Sequence, residues 1–392
     1  MSQLLESRWS ETKEALLEGL QGNKRTVMAT TLENTRKYLA ESATAGATSA
    51  GNVATLNRVI LPVIRRVMPT VIANELVGVQ PMTGPVGQIH TLRVRYADAF
   101  NGGTGTSVTA GDEALSPFKI AEGYSGNDTT AGLKPGATAA LEGVAGNRMS
   151  IQILKQTVEA KTRKLSARWT FEAAQDAQAQ QGIDIEAEIM AALAQEITAE
   201  IDQEVLASLA ALSSTVLTYD QAAVSGTATF VGDEHAALAV QINRVANLIA
   251  QRTRRGAGNW AVVSPTMLTV LQSATTSAFA RTTEGTFEAP TNTKFVGTLN
   301  SAMKVYVNTY ATSDNVLVGY KGSSESDAAA FYCPYIPLMS SGVVLDPATF
   351  EPVVSFMTRY GYVELTNTAS SLGNAGDYLG TVAVTAANLK FA

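Results

Sequence analysis

The spacing of apolar residues divides the chain into zones of different period. Within residues 170–212, Ile185, Ile189, Leu193, Ile197, Ile201, Val205 and Leu209 recur at every fourth position, which predicts one long amphipathic helix. Residues 1–41 carry two shorter stripes, Leu5, Trp9, Leu16 and Leu20, then Met28, Leu32 and Leu39, separated at Gln21-Gly22-Asn23. They predict a helical N-terminal region that has no core of its own. It docks on the body, docks on a neighbour, or is removed. The run SATAGATSAGNVAT, residues 42–55, is small and uncharged and reads as a tether. Pro62 and Pro69 then bracket a short helical segment bearing Arg65 and Arg66.

The period changes to two at Ile89, Leu92, Val94 and Tyr96, which predicts an extended strand, and a second long strand is predicted over residues 149–169. Residues 101–147 between them hold 10 of the 31 glycines, so loops with short strands at most are expected there. The whole excursion is far longer than an ordinary connection of ~4–6 residues. A two-stranded arm is marginal in water by itself, so it needs a surface to lie on, and another copy of the chain is the expected surface. From 213 onward strands and helices alternate: a helix near 233–253, the buried strand GNWAVVSP (258–265), then KVYVNTYA, VLVGYKG, AAFYCPYIPL, GVVLDPATFEPVVSFMTRYGYVEL and GTVAVTAANLKF. The expected class is α+β.

Composition sharpens this picture. Only 16% of the residues are charged, against ~25% in a typical soluble domain, as expected of a surface largely covered by other chains. The net charge of −6 excludes the chain as a whole as an electrostatic partner of nucleic acid. Locally the charges segregate. Nine acids and no base lie between Glu172 and Glu204, whereas the preceding strand holds Lys155, Lys161, Arg163, Lys164 and Arg168. Two readings stand side by side. Both runs are solvated faces, or the basic arm of one copy lies across the acidic helix of the next, pairing these bases with Glu186, Glu188, Glu196 and Glu200.

Candidate chemistry is sparse. Cys333, His90 and His235 are the complete Cys and His inventory, too few and too scattered for a zinc site. A lone cysteine excludes an intrachain disulfide framework and fits a reducing compartment. It lies among aromatics and prolines and reads as a buried small residue. G-x-S-x-G, the P-loop and G-x-G-x-x-G after a strand are all absent, and no pair of carboxylates stands out for acid–base work. No catalytic residue, cofactor or metal is expected. The first twenty residues are charged throughout, unlike a signal peptide. The longest uncharged stretch, residues 256–280, is too polar to span a bilayer. Synthesis in the cytoplasm is expected, with no membrane partner.

Six ordered blocks carry a resemblance. LPVIRRVMPTVIANELVGVQPMTGPVGQIHTLRVRY, TVEAKTRKLSARWTFEAAQDAQAQQGIDIEAEIMAALAQEITAEID, GNWAVVSP followed by FVGTLNSAMKVYVNTYA, VLVGYKGSS, AAFYCPYIPL and DPATFEPVVSFMTRYGY closely resemble the major capsid proteins of T-even-like contractile-tailed bacteriophages. The likeness covers about three quarters of the chain, from Leu61 onward. It implies the capsid fold named for phage Hong Kong 97, with an N-terminal arm (1–55), a first part of the peripheral domain (56–85), an extended loop (86–168), a spine helix (169–215), an axial domain (216–340) and return strands to the peripheral domain (341–392). It implies self-assembly into hexamers and pentamers of an icosahedral shell that encloses DNA without binding it specifically. Scaffold, portal, and decoration or vertex proteins are the implied partners. Assembly in the host bacterial cytoplasm and residence in the virion follow. Two shell alternatives remain open, a pentameric vertex protein of the same family and a nanocompartment shell protein. A β-rich hydrolase using paired acids is the alternative from another class.

The sequence departs from the family pattern in two places. Residues 101–147 are too short for the folded insertion domain that well-known relatives carry in the extended loop, and the N-terminal arm shows no resemblance. In this family a protease cuts after (Leu/Ile)-x-Glu. Leu39-Ala40-Glu41 fits and places a maturation cut between Glu41 and Ser42. Leu4-Leu5-Glu6, Leu16-Leu17-Glu18 and Ile120-Ala121-Glu122 also match.

Overall fold

A computed structural model describes residues 20–44, 72–101, 107–114, 145–181, 184–224, 231–274, 279–281, 294–366 and 374–389, apart from 214, 254, 301 and 350, together with scattered residues before 20 and between 121 and 143. The segment with Pro62, Arg65, Arg66 and Pro69 and the tether beyond Thr44 lie outside the described residues.

Two sheets organise the body, and α+β is the observed class. The first has five strands, β1 (Gly78–Val79), β4 (Lys161–Arg168), β11 (Ala330–Ser340), β12 (Val344–Leu345) and β13 (Pro352–Glu364). The long β13 is its centre. It pairs antiparallel with β11 and β12 and with β4, while β1 adds in parallel to β11. The second has seven strands in the order β5 (Thr215–Tyr219), β14 (Leu379–Val384), β10 (Val316–Gly319), β6 (Trp260–Val263), β9 (Met303–Val307), β8 (Lys294–Leu299) and β7 (Phe279–Arg281).

The central strands of the seven-stranded sheet read as continuous apolar runs because both faces are covered. Ala261, Val263, Val305, Val307, Val316 and Val318 pack under the helices Val231–Thr253 and Pro265–Ser273. Their alternates Trp260, Val262, Tyr306 and Leu317 enter the core shared with the five-stranded sheet. Ser264 caps the second of these helices by accepting from the Met267 N–H at 3.2 Å, with Pro265 in its first turn.

The predicted four-residue stripe is real. Leu193, Ile197, Ile201, Val205 and Leu209 are buried on the helix Ile185–Leu212, which packs on β4 and β13. The expected single helix over 170–212 is divided, however. One helix ends at Gln181 and the next starts with Asp184 as its N-cap, accepting from the Glu186 N–H. Glu186 and Glu188 sit in that first turn, where the helix dipole favours acids.

The N-terminal helix, Asn23–Thr44 (α1), docks on its own body. Val27, Met28 and Leu32 enter the shared core. Asn34 Nδ2 donates to the carbonyls of Met82 (2.7 Å) and Tyr335 (3.0 Å), and Lys24 Nζ reaches Glu75 at 2.6 Å. The described part of this region thus lies against the body of its own chain. The helix also runs to Thr44, three residues into the expected tether.

Two expected boundaries cut across the sheets. β11, expected in the axial domain, pairs with β13 in the five-stranded sheet. β14, expected among the return strands, pairs with β5 and β10 in the seven-stranded sheet. Each pairing joins residues distant in sequence, about which apolar periodicity carries no information.

Candidate assembly interface

The arm is a hairpin of β2 (Val86–Tyr96) and β3 (Met149–Glu159), in antiparallel register from Val86↔Glu159 to Tyr96↔Met149. The strand expected to run unbroken over 149–169 is split at Ala160. β3 leaves with the arm, whereas β4 belongs to the body sheet. Ala160 N–H donates to Pro85 O at the base of the hairpin.

The two faces of β3 differ. Val158 on one face packs with Met82, Phe331 and Cys333, and Gln156 Nε2 donates to Thr366. The other face carries Met149, Ile151 and Ile153, with Ile151 68% and Ile153 66% exposed. Their cross-strand partners are Tyr96, Val94 and Leu92. An uncovered apolar stripe on a two-stranded ribbon is costly to leave in water. At the far end of the arm, Tyr96, Phe100, Val108, Ala114, Ala121 and Tyr124 form a small core of their own. Arg148 pairs with Asp98 at 2.9 Å, and Tyr124 Oη donates to Arg148 O at 2.6 Å. The glycine-rich region was expected to be loops, and isolated bridges Phe100↔Val108 and Arg95↔Glu113 are the only strand pairing described within it.

The five basic residues diverge. Strand alternation places Lys161 and Arg163 toward the long helix and Lys164 and Arg168 on the opposite face, while Lys155 rides on the arm. Arg163 is satisfied within the chain. Its Nη1 donates to Glu200 at 2.7 Å, its Nη2 to Glu204, and its Nε to Tyr360 Oη at 2.6 Å. Burial opposes its charge, but the bonds to Glu204 and Tyr360 outweigh that and hold its pKa above the ordinary range. Glu204 is likewise lowered: burial works against ionisation, and Tyr360 and Arg163 overcome it. Arg168 lies 3.7 Å from Glu351. Lys155 and Lys164 are exposed, and no ion pair joins either of them, or Glu186, Glu188 or Glu196, to another described residue. The structure thus joins one expected pair, Arg163 with Glu200, inside a single chain. The sequence pattern missed Glu204 and Tyr360, because only the pairing of β4 with β13 brings them beside Arg163.

Cys333, His90 and His235 lie on separate elements. Cys333 is buried, and burial pushes its thiol up to about 11. His90 is exposed on β2, and His235 is buried with Nδ1 2.5 Å from Ser273 Oγ. Among the described residues no group of three metal-ligating side chains occurs, and no helix is long and apolar enough to cross a membrane.

The family model described as "Major capsid protein Gp23" matches residues 53–384. The major capsid protein of Vibrio phage KVP40 is 31% identical over 83% of this chain and 80% of its own length. That of Enterobacteria phage T4 is 30% identical over 83% of this chain and 78% of its own. Among solved structures, the capsid of Myoviridae phage XM1 aligns with a TM-score of 0.43 at 9% identity, over 80% of this chain and 91% of that one. The chain belongs to the Gp23 family of phage major capsid proteins.

Proposed function

We propose that this major capsid protein closes its shell by laying the β2–β3 arm of each copy over the body of the next, in hexamers and pentamers of a Hong Kong 97-type lattice. The observation that carries the reading is the apolar stripe Met149, Ile151 and Ile153, exposed among the described residues on a two-stranded arm. A heterologous contact of this kind repeats around a ring and closes it. The extended loop is then the hairpin, the long helix Ile185–Leu212 the spine, and the seven-stranded sheet the axial body. Lys155 and Lys164 are the bases left to meet a neighbour's Glu186, Glu188 or Glu196, and Arg168 joins them at the rim. The shell assembles in the host cytoplasm with scaffold and portal partners and encloses DNA without specific contacts.

Cleavage between Glu41 and Ser42 belongs to the same reading. Two of the rival signals are obstructed: Leu16 and Leu17 are buried, and so is Ala121, whose N–H donates to Tyr96 Oη. Glu41 stands in the last turn of α1, where a helix opens most readily. Negative-stain microscopy of the purified chain tests the shell. Closed particles support it, and a monodisperse monomer at high concentration rejects it. A full-length intact mass in mature particles rejects the cut.

A further inference from the structure

Strand β4 pairs with β13 alone, and that ladder is regular from Val353↔Arg168 to Tyr360↔Lys161. Just beyond it, Trp169 N–H donates to Pro352 O at 3.2 Å. Hydrogen-bonded pairs alternate with non-bonded ones along an antiparallel ladder. That bond therefore aims the backbone groups of Ala167, Leu165, Arg163 and Lys161 at β13. The N–H and C=O of Thr162, Lys164, Ser166 and Arg168 point the other way. No described residue bonds to them, and all four residues are exposed. They form an open edge about 27 Å long, at ~3.4 Å per residue.

An open edge is a template on which another strand adds, and proteins commonly blunt it with a bulge, a proline or a very short strand. β4 has eight residues, no proline and no register shift. On the far side of β13 the same sheet is broken up: the β11 ladder slips twice, and β1 and β12 are two residues each. β4 is guarded by charge alone. Lys164 and Arg168 stand among the edge residues themselves. A second β4 laid antiparallel along this edge would set bases beside bases, which is unfavourable. The edge thus rejects its own copy and accepts a strand without bases, which makes the contact heterologous, as a closing ring requires. The arm is not that strand, since β2 carries Arg93 and Arg95 and β3 carries Lys155.

We infer that β4 is a docking edge on which an extended, base-free segment of a second copy adds as a further strand, through main-chain hydrogen bonds to Thr162, Lys164, Ser166 and Arg168. The five-stranded sheet then continues from one copy into the next. This joint rests on the shell reading above and is separate from the arm's apolar stripe. Main-chain bonds supply its affinity, and Lys164 and Arg168 select an acidic or neutral strand. A second copy fits the stoichiometry: every subunit presents one such edge, and every subunit supplies one segment to the next. Arg163 stays with Glu200 and Glu204 on the helix side and takes no part.

The test is hydrogen exchange resolved to single amides, comparing unassembled subunits with closed particles of the full chain. The amides of Thr162, Lys164, Ser166 and Arg168 are expected to exchange freely in the subunit and about a hundredfold or more slower in particles. Those of Arg163 and Leu165 should be protected in both. Outward amides that exchange in particles at the subunit rate overturn the inference. A second measurement uses Ser166→Pro, which deletes one outward N–H at a position where an edge strand tolerates proline. The variant subunit should melt within a few degrees of the parent and form no closed particles, whereas Ser166→Val, which keeps the N–H, should form them. Normal particles from the proline variant overturn the inference. A parent chain that never assembles rejects the shell reading and the edge contact together. Parent particles whose outward amides exchange freely reject the edge contact alone.

Discussion

Gly361 of β13 and Val158 of β3 interlock: a Cβ on Gly361 would stand 2.4 Å from Val158 Cγ1. This is where the arm crosses the body sheet, and the absence of a side chain at 361 lets the two approach. Met82 also lies here, its Cε 3.4 Å from the same Cβ position. Gly361→Ala is expected to push the base of the arm off β13 and cost about 1–3 kcal/mol, the usual range for overpacking a closed contact. A lowered Tm, with faster limited proteolysis within 86–159, is the expected outcome. A wild-type melting curve would show that the contact is slack.

Asp202 adds a pH dependence. It is buried on the long helix, with Ile72 N–H donating to it at 2.8 Å and Tyr332 facing it. Burial pushes its carboxyl up to about 7, only partly offset by that hydrogen bond. The unfolded chain holds this group near its ordinary value of ~3.9. An acid raised on folding imposes no cost below the unfolded value. Its cost grows as pH rises from about 4 to 7 and is level above that, on the order of 4 kcal/mol at full ionisation. Asp202→Asn is therefore expected to be more stable than the parent at pH 8 and similar to it near pH 4. Urea unfolding at several pH values reads this directly, and parallel pH profiles for the two proteins would contradict it.

Arg163 separates a fold-stabilising charge from charges free to act between copies. Arg163→Glu would set a third carboxylate against Glu200 and Glu204 and deprive Tyr360 of its partner. A loss of about 1–3 kcal/mol, reduced by salt, is expected. Lys155→Glu and Lys164→Glu should each shift stability by less than about 0.5 kcal/mol, since both are exposed and outside the in-chain ion pairs. Thermal melts at low and high salt distinguish the classes. Equal losses for all three would mean that the solvated-face reading of Lys155 and Lys164 as monomer residues is wrong.

The contrast marks how far the sequence could be read. Leu193 to Leu209 announce the long helix because its period is set locally by one buried face. β11 and β13 are visible as strands for the same reason. The partner of β4 is not visible. Lys161–Arg168 continues the alternation of β3, and only the bond from Ala160 to Pro85 and the pairing with Val353–Tyr360 turn it into the body. That single turn moves Arg163 from the arm to the body and gives it Glu200 of its own chain as a partner. Asn34 is similarly silent in sequence. An asparagine in mid-helix predicts nothing until the register shift at Tyr335 supplies a carbonyl for it. The uncovered stripe on β3 was legible only as alternation, because which face meets the body depends on Val158 and Gly361, 203 positions apart.

That stripe bears the strongest prediction about assembly. Ile151 and Ile153 contribute little to the isolated fold, since water already reaches most of each side chain. Burying two such side chains against a neighbour would contribute about 3–6 kcal/mol per copy by area, before the cost of ordering is subtracted. A closed ring repeats that gain at every joint, so small losses multiply. Ile151→Lys with Ile153→Lys should leave the melting temperature of the unassembled chain within a degree or two, because the substituted positions face solvent and strand pairing is kept. The same variant should fail to form closed particles and sediment as free subunits or small oligomers. The control is Lys155→Glu, on the same face of the arm but outside the apolar stripe. It should retain particles with altered salt dependence if charge only steers the contact. Normal particles from the double lysine variant would place the arm's contact on its other features, and would remove the apolar stripe as the reason this chain is completed by copies of itself.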